Sequence, residues 1–326
     1  MKYERLLGED FDTYALRLYA NKTLYGLDST QIGELLNEQS GTKKDESAWR
    51  KFYTAMKHGI EYQMKRHMGD VATTILSISD LHIPFQLPID VLKDYVDRVD
   101  ILQINGDVCD NQATSKFPKC YRVSPMEEII QARQYLIDLI GYVHPKRVIV
   151  NYGNHDIRFQ NYLAKNLDTD ILELMPKTSL ELIFEDGFNH YNKRELTKVW
   201  YPPLKEVIED VELIYIDNWY CQIGDAIFCH PLFYSSAMMK TAEKAMLFFR
   251  NEEYKFRNLI MAHTHRCGQY TVGNTTLYEQ GAFCDVTKNH YSDGRLVNSQ
   301  KEGFIYLCQD ENGTTLKDKT QLIVLN

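Results

Sequence analysis

Five short clusters in this chain concentrate residue types that bind cations. They are Asp80-Leu81-His82, Gly106-Asp107-Val108-Cys109-Asp110, Gly153-Asn154-His155-Asp156, Cys229-His230-Pro231 and His263-Thr264-His265. Carboxylate, amide and imidazole donors without a thiolate suit manganese, iron, zinc or magnesium. Each fragment alone is weak, because Asp-x-His and His-x-His arise by chance in many chains. As a set they carry more weight, since five unpaired ionisable clusters beside a core would be costly to desolvate. In an extended strand residues i and i+2 face the same way, so Asp80 and His82 are expected to address one ion, and His263 and His265 to flank the same site. Gly106 and Gly153 allow sharp turns and close approach just before Asp107 and Asn154. A carboxylate bridges two cations better than a neutral ligand does, which makes Asp107 the natural bridge.

The elements that must position these clusters follow from the apolar pattern. Short apolar runs at 74–79, 100–104, 147–150 and 258–261 read as buried strands. Shorter strands are expected at 211–216, 219–223 and 226–229. Helices are expected at 89–99, 125–143 and 236–256, and the stretch 157–200 reads as mixed helix and loop. The segments 271–278 and 303–325 read as β-rich, with a turn at Asn312-Gly313. This alternation predicts an α/β fold with a mixed sheet. Ligands in such folds gather at the C-terminal ends of the strands, where the five clusters fall.

Residues 1–69 differ in character. Phe11, Tyr14, Ala15, Leu18 and Tyr19 recur at helical spacing, Gly26 breaks the pattern, and Asp28 with Gln31 reads as a capping box. Asp45 caps a third helix with a buried face of Trp49, Phe52, Tyr53, Met56 and Ile60. Its other face carries Arg50, Lys51, Lys57 and His58, with Lys65 and Arg66 beyond. This is a small all-helical module of helix-turn-helix appearance, followed by the α/β domain over 70–326. Helical periodicity alone specifies only a buried stripe, so packing on that domain is the plainer role for it.

The ordered pattern Asp-x-His, Gly-Asp-x-x-Asp, Gly-Asn-His-Asp, lone His and His-x-His resembles the calcineurin-like metallophosphoesterase superfamily, in its bacterial and phage, exonuclease-like branch. The resemblance runs from residue 73 to about 285. It implies a core of β-sheets flanked by helices and two divalent metal ions. The first would be held by Asp80, His82, Asp107 and His265, and the second by Asp107, Asn154, His230 and His263. His155 would be catalytic, and Asp156 would orient or charge-stabilise its imidazole. Manganese is the first choice of metal, with zinc, iron or magnesium as alternatives. The implied reaction is attack of a metal-activated hydroxide on phosphorus. Three positions depart from the family pattern: Ile83 and Pro231 stand where glycine is frequent, and Ala262 replaces the glycine before His263. Asn111 stands where protein phosphatases carry a phosphate-binding arginine. Arg158 and Arg266 directly follow metal motifs, where a phosphate contact and a surface ion pair are equally compatible with their positions.

The resemblance and the helical module together favour a phosphodiesterase acting on DNA, a nuclease. A phosphomonoesterase or protein phosphatase is the first alternative, and a non-catalytic metal-binding scaffold is another. The net charge of −8 excludes a global positive field, though not a local basic patch. Seven cysteines with no Cys-x-x-Cys pair argue against a disulfide framework and for a reducing cytoplasm. No signal peptide or membrane-spanning stretch is expected. His58, His67, His144, His190 and His290 fit no motif and read as structural or exposed.

Overall fold

The computed structural model describes residues 3–6, 8–67, 71–115, 124–172, 178–192, 195–288 and 300–325. The chain divides into two compact units, Met1–Asp70 and Val71–Asn326. No helix among the described residues is long and apolar enough to cross a membrane.

The first unit is helical: α1 (Phe11–Ala20), α2 (Lys22–Tyr25), α3 (Ser29–Ser40) and α4 (Glu46–His67). Asp10 caps α1 through the amide of Thr13. Gly26 takes a left-handed conformation that ends α2. The capping box on α3 forms in both directions: Asp28 accepts from the Gln31 amide, and the Gln31 side chain accepts from the Asp28 amide. Asp45 accepts from the Ala48 amide at the head of α4. The core of this unit is Tyr14, Ala15, Leu18, Ile32, Leu36 and Trp49, with Phe52 packed against it. The buried face expected of α4 stops short of its prediction, because Ile60 is 41% exposed. Arg50, Lys51, Lys57 and His58 are exposed, while the side chains of Lys65, Arg66 and His67 lie outside the described residues.

The second unit is a sandwich of two sheets with helices outside. The strands are β1 (Thr73–Ile78), β2 (Ile101–Asn105), β3 (Arg147–Asn151), β4 (Phe188–Asn192), β5 (Thr197–Tyr201), β6 (Glu212–Ile216), β7 (Tyr220–Ile223), β8 (Ala226–Cys229), β9 (Asn258–Met261), β10 (Cys267–Val272), β11 (Thr275–Gln280), β12 (Gly303–Gln309) and β13 (Gln321–Val324). One sheet has the order β13-β12-β1-β2-β3-β6, the other β10-β11-β9-β8-β7, and β4-β5 form a separate hairpin. β1, β2, β3 and β6 run parallel, so their C-terminal ends open on one edge. β8, β9 and β11 are also mutually parallel.

Side-chain alternation divides the core into three layers. Ile75, Ile101, Ile149, Phe228, Ile260, Tyr278 and Ile305 fill the space between the sheets. Leu76, Ile78, Leu102, Ile104, Val148 and Val150 face the other way, onto α5 (Pro125–Val143). On the far side, Ile227, Leu259, Met261 and Leu277 pack against Ala242, Ala245, Met246 and Phe249 of α10 (Lys240–Asn251). The short helices α6 (Arg158–Asn166), α7 (Thr169–Leu172), α8 (Ser179–Glu181) and α9 (Leu204–Val207) connect the strands.

Several expectations need revision. The 89–99 stretch is a short 3-10 helix over Ile89–Tyr95. The helix expected from 236 begins only at Lys240, because residues 231–239 form an irregular loop. The hairpin β4-β5 replaces part of the expected helix and loop. β4 alternates in burial along its length, whereas β5 is exposed at four of its five positions and carries no such mark.

Between the two sheets, next to their apolar layer, runs a buried polar ladder that links them. Ser77 donates to Gln103 (2.6 Å), Gln103 to Asn151 (2.7 Å) and Asn151 to Asn105 (3.0 Å). Asn105 in turn donates to the carbonyls of Cys229 and Ile260 in the second sheet. Each polar atom so paired avoids the desolvation penalty that an orphan would carry.

On α5, the Glu128 carboxylate accepts from the Asn111 amide, while its other oxygen is buried without a partner among the described residues. Burial, with the nearby Asp110 charge, pushes this carboxyl up to about 8, against the opposing hydrogen bond from Asn111. A carboxyl raised in the folded state binds more protons there than in the unfolded chain. Stability from this group therefore falls as pH rises from the ordinary glutamate range to about 8. Glu128→Gln keeps an acceptor for Asn111 and removes the titration. Its urea midpoint is expected to exceed that of the parent at pH 8 and to match it near pH 4.5, and equal midpoints at pH 8 would contradict this.

Candidate metal centre

β1, β2 and β3 stop at Ile78, Asn105 and Asn151, and the clusters begin within two or three residues of those ends. The backbone there is not extended. Asp80, His82, Asp107, His263 and His265 all take positive φ, at 52°, 43°, 53°, 83° and 52°. Strand alternation thus does not bring Asp80 and His82 together. Successive left-handed kinks do so, at a conformational cost that surrounding structure must offset. The first two loops run side by side, with the amides of Asp80, His82 and Ile83 donating to the carbonyls of Gly106, Asp107 and Val108. A Cβ on Gly106 would lie 2.7 Å from His230 Nδ1, and one on Gly153 would lie 2.2 Å from Asp107 Oδ1. Only glycine permits that approach.

Three groups of donors converge. Asp80, His82 and His265 form the first, and Asp107, His230 and His263 the second. In the first, His82 Nε2 and His265 Nε2 face each other at 3.0 Å, and His265 Nε2 is 3.1 Å from Asp80 Oδ1. In the second, His230 Nε2 is 3.2 Å from Asp107 Oδ2 and 3.1 Å from Asn154 Oδ1. Asp107 Oδ2 is also 3.8 Å from His82 Nε2, so this oxygen lies between the two groups. Every one of the seven expected ligands is therefore in this cluster.

Asp110 joins the third group, with His82 and His155. One oxygen, Oδ1, lies 3.2 Å from His82 Nδ1 and 2.9 Å from His155 Nδ1. This carboxylate orients both rings, leaving their Nε2 atoms toward the centre. Asp156 was expected to serve His155, but its carboxylate turns inward. It accepts from the amides of Asp107 (2.7 Å) and Gly153 (2.9 Å), which fixes the second and third loops to each other. Burial and the Asp107 charge push Asp156 up to about 7.

The electrostatics follow from the crowding. Burial alone would raise the Asp80 and Asp107 carboxyls. The imidazoles beside them, His265 and His230 for Asp80 and His230 and His155 for Asp107, outweigh burial and hold both below the usual carboxylate range. Burial lowers His230, but Asp107 and Asp80 raise it to about 9. Its Nδ1 faces the Asn105 carbonyl at 2.8 Å, which assigns the proton to Nδ1 and turns Nε2 to the centre. His263 moves the other way, to about 3, through burial and the His230 charge. Its buried Nε2 has no hydrogen-bond partner among the described residues. Ser79 donates to Asp80 Oδ2 at 2.6 Å, leaving Oδ1 for the centre. Imidazoles that would give up an Nε2 proton to a cation, converging with ionised carboxylates, are the donor set that divalent ions require, so the residues present fit a metal pair.

Arginines and asparagine complete the surroundings. Arg158, at the start of α6, places Nη2 2.8 Å from His155 Nε2 and donates from Nη1 to the Asp110 carbonyl. Arg266 is 4% exposed and serves as a loop clamp, donating to Tyr234 Oη and to the carbonyls of Ser235, Ser236 and Ala237. Asn111 donates to the His155 carbonyl and to Ser179, so it braces the third loop. The supports that sequence reasoning missed are Ser79, Asn105, Glu128 and the ladder beneath. The signal for the ladder was present as polar residues interrupting apolar strands at Ser77, Gln103, Asn105 and Asn151.

His144 pairs with Asp97 at 2.9 Å and His58 is exposed. His290 lies outside the described residues, as does Cys120. The six described cysteines are free, and Cys109 fills the core as a small apolar side chain.

Comparison with known proteins places these features. Residues 1–68 match the YonJ N-terminal domain. An uncharacterised SPbeta prophage-derived protein, YonJ of Bacillus subtilis (strain 168), is 38% identical over 63 residues, a stretch covering 19% of this chain and only 16% of that protein. Among solved structures, zinc-bound Vps29 of Entamoeba histolytica covers 78% of this chain and 99% of its own, at 16% identity and a TM-score of 0.37. An archaeal phosphodiesterase covers 77% and 99%, at 15% identity and a TM-score of 0.34. A predicted phosphoesterase of Streptococcus pneumoniae TIGR4 covers 77% and 97%, at 12% and 0.30. Residues 73–267, more than half of the sequence, match the calcineurin-like phosphoesterase model, and the chain belongs to that family of divalent-metal phosphoester hydrolases.

Proposed function

We propose that this protein is a phosphodiesterase that cleaves DNA with a pair of divalent ions, manganese by first choice, in the cytoplasm. The observation that carries the reading is the position of Asp107 Oδ2 between two buried donor groups of matching composition. Asp80, His82, Asp107 and His265 would hold one ion, and Asp107, Asn154, His230 and His263 the other. Such a pair would supply Lewis acidity for the phosphoryl oxygens and lower the pKa of water near them.

The chain's own groups do the rest. His155 is the candidate donor to the leaving oxygen, with Asp110 holding Nδ1 so that Nε2 carries the transferred proton. A protonated Nε2 and a guanidinium cannot donate to each other. Arg158 must then leave Nε2, which would free its Nη2 for an anion such as the substrate phosphate. Exposed Arg50, Lys51 and Lys57 on α4 supply cations that a polyanionic substrate would meet. The prophage origin of YonJ, whose N-terminal domain residues 1–68 match, suits a nucleic-acid substrate. Free cysteines in every described position suit a reducing compartment.

Four outcomes are expected. With Mn²⁺, the full chain turns over bis-p-nitrophenyl phosphate and linear DNA, whereas turnover of p-nitrophenyl phosphate alone would make it a monoesterase. Asp107→Ala loses both ions by elemental analysis. His155→Ala retains them and loses about 10²–10⁴-fold in turnover, and a fully active His155→Ala protein would remove that residue from the chemistry. Deleting residues 1–69 lowers DNA affinity and flattens its dependence on salt, and an unchanged salt slope would reduce that unit to a packing role.

A further inference from the structure

The loop over residues 231–239 joins the ligand candidate His230 to α10 and carries an unusual surface. Leu232, Phe233, Tyr234 and Met238 are 57%, 47%, 44% and 68% exposed. Such a cluster would ordinarily fold inward. Here the loop is held in place by a buried cation: Arg266 donates to Tyr234 Oη at 2.8 Å and to three loop carbonyls at 3.2–3.3 Å. The Ser235 amide adds a bond to Thr241 at the head of α10. The loop backbone is thus held by a built support, and large apolar side chains exposed together on one short loop are the material of a binding surface.

Its position and chemistry narrow the occupant. The Tyr234 ring stands edge-on to the His263 imidazole, with centroids 6.1 Å apart. The Lys244 ammonium lies 3.9 Å from the centroid of the Phe233 ring. Arg266 lies over the Tyr234 ring, 5.3 Å from its centroid, and Lys244 lies over the Phe233 ring, so each half-exposed aromatic already carries a cation on one face. A ring backed by a cation suits stacking of a nucleobase on its solvent side, with the neighbouring phosphate drawn to the ammonium. An acyl chain would instead need an enclosing groove, and these side chains stand about half open.

The geometry points to Phe233 and Tyr234 as a stacking platform for a nucleobase of single-stranded nucleic acid, next to the scissile phosphate, with Lys244 on the adjoining phosphate. This rests on the phosphodiesterase reading, which it deepens by naming the part of the substrate that is recognised.

Binding separates the two claims. Fluorescence anisotropy is measured for the full chain in a His155→Ala background with Mn²⁺, using a base-bearing single strand and an abasic strand of equal length. The base-bearing strand is expected to bind about tenfold more tightly. Phe233→Ala should abolish most of that preference while leaving abasic binding unchanged, and Tyr234→Leu should act in the same direction. Lys244→Ala should lower the salt slope by about one, with the preference retained. Equal binding of the two strands, or a preference that survives Phe233→Ala and Tyr234→Leu alike, would overturn the platform. So would capture of the patch by anionic phospholipid vesicles without discrimination between strands. Base preference in a protein with an intact His155 that leaves bis-p-nitrophenyl phosphate uncleaved would sink the hydrolase reading while sustaining the platform.

Discussion

The energetic problem at the centre of this molecule is the Asp107 carboxylate. It is 1% exposed and shares its surroundings with Asp80 and with the imidazoles of His82, His155 and His230. Removing so many ionisable groups from water costs several kcal/mol per charge unless partners compensate. Five residues of the same cluster also sit in left-handed backbone, which adds strain. The directions of the proton equilibria record the compensation. Both carboxylates are held below their ordinary range, while His230 is drawn up to about 9 by the same contacts. A metal pair would replace those protons with charge better suited to the converging lone pairs, and the architecture can be understood as the support that such a cluster needs.

That support comes from rigid elements. Parallel strands deliver the loops to one edge, and loop-to-loop hydrogen bonds fix their mutual register. Glycine at 106 and 153 lets the second and third loops touch. The ladder from Ser77 through Gln103, Asn151 and Asn105 continues to the Asn105 carbonyl, which sets the tautomer of His230. A chain of neutral hydrogen bonds inside the core thereby determines which nitrogen a ligand presents, and that depends on the polar residues staying fully paired.

The two units differed in what their sequence made legible. The clustering of candidate ligands at strand ends was readable because motif residues are short-range: Gly106 to Asp110 and Gly153 to Asp156 each form one loop. The cap of α3 and the span of α5 were readable for the same reason, as local hydrogen bonds and a steady apolar period fix them. The partner of His155 was not. Adjacency suggested Asp156, yet neighbouring side chains in a tight turn diverge, and the carboxylate that reaches the ring comes from Asp110 in another loop. Positive φ at non-glycine residues carries no sequence mark either, so the convergence of Asp80 and His82 was expected for the wrong geometric reason. Burial on α4 was overread at Ile60, since periodicity continues past the point where a partner surface ends.

Arg266 shows how a site and its surroundings become one mechanical object. It follows His265 directly in the chain, and its guanidinium supports the 231–239 loop while His265 faces Asp80. Burying a guanidinium is tolerable only when its donors are satisfied, and here they are satisfied by carbonyls that would otherwise need other partners. Backbone that orders His265 therefore also orders the exposed aromatic loop. The arrangement divides roles: buried strand-end loops hold the candidate ligands, and a surface loop clamped to one of them presents the aromatic side chains proposed to meet a substrate. Because the clamp and a ligand candidate share one short segment, a loop with few regular backbone bonds can be held as firmly as the centre it flanks.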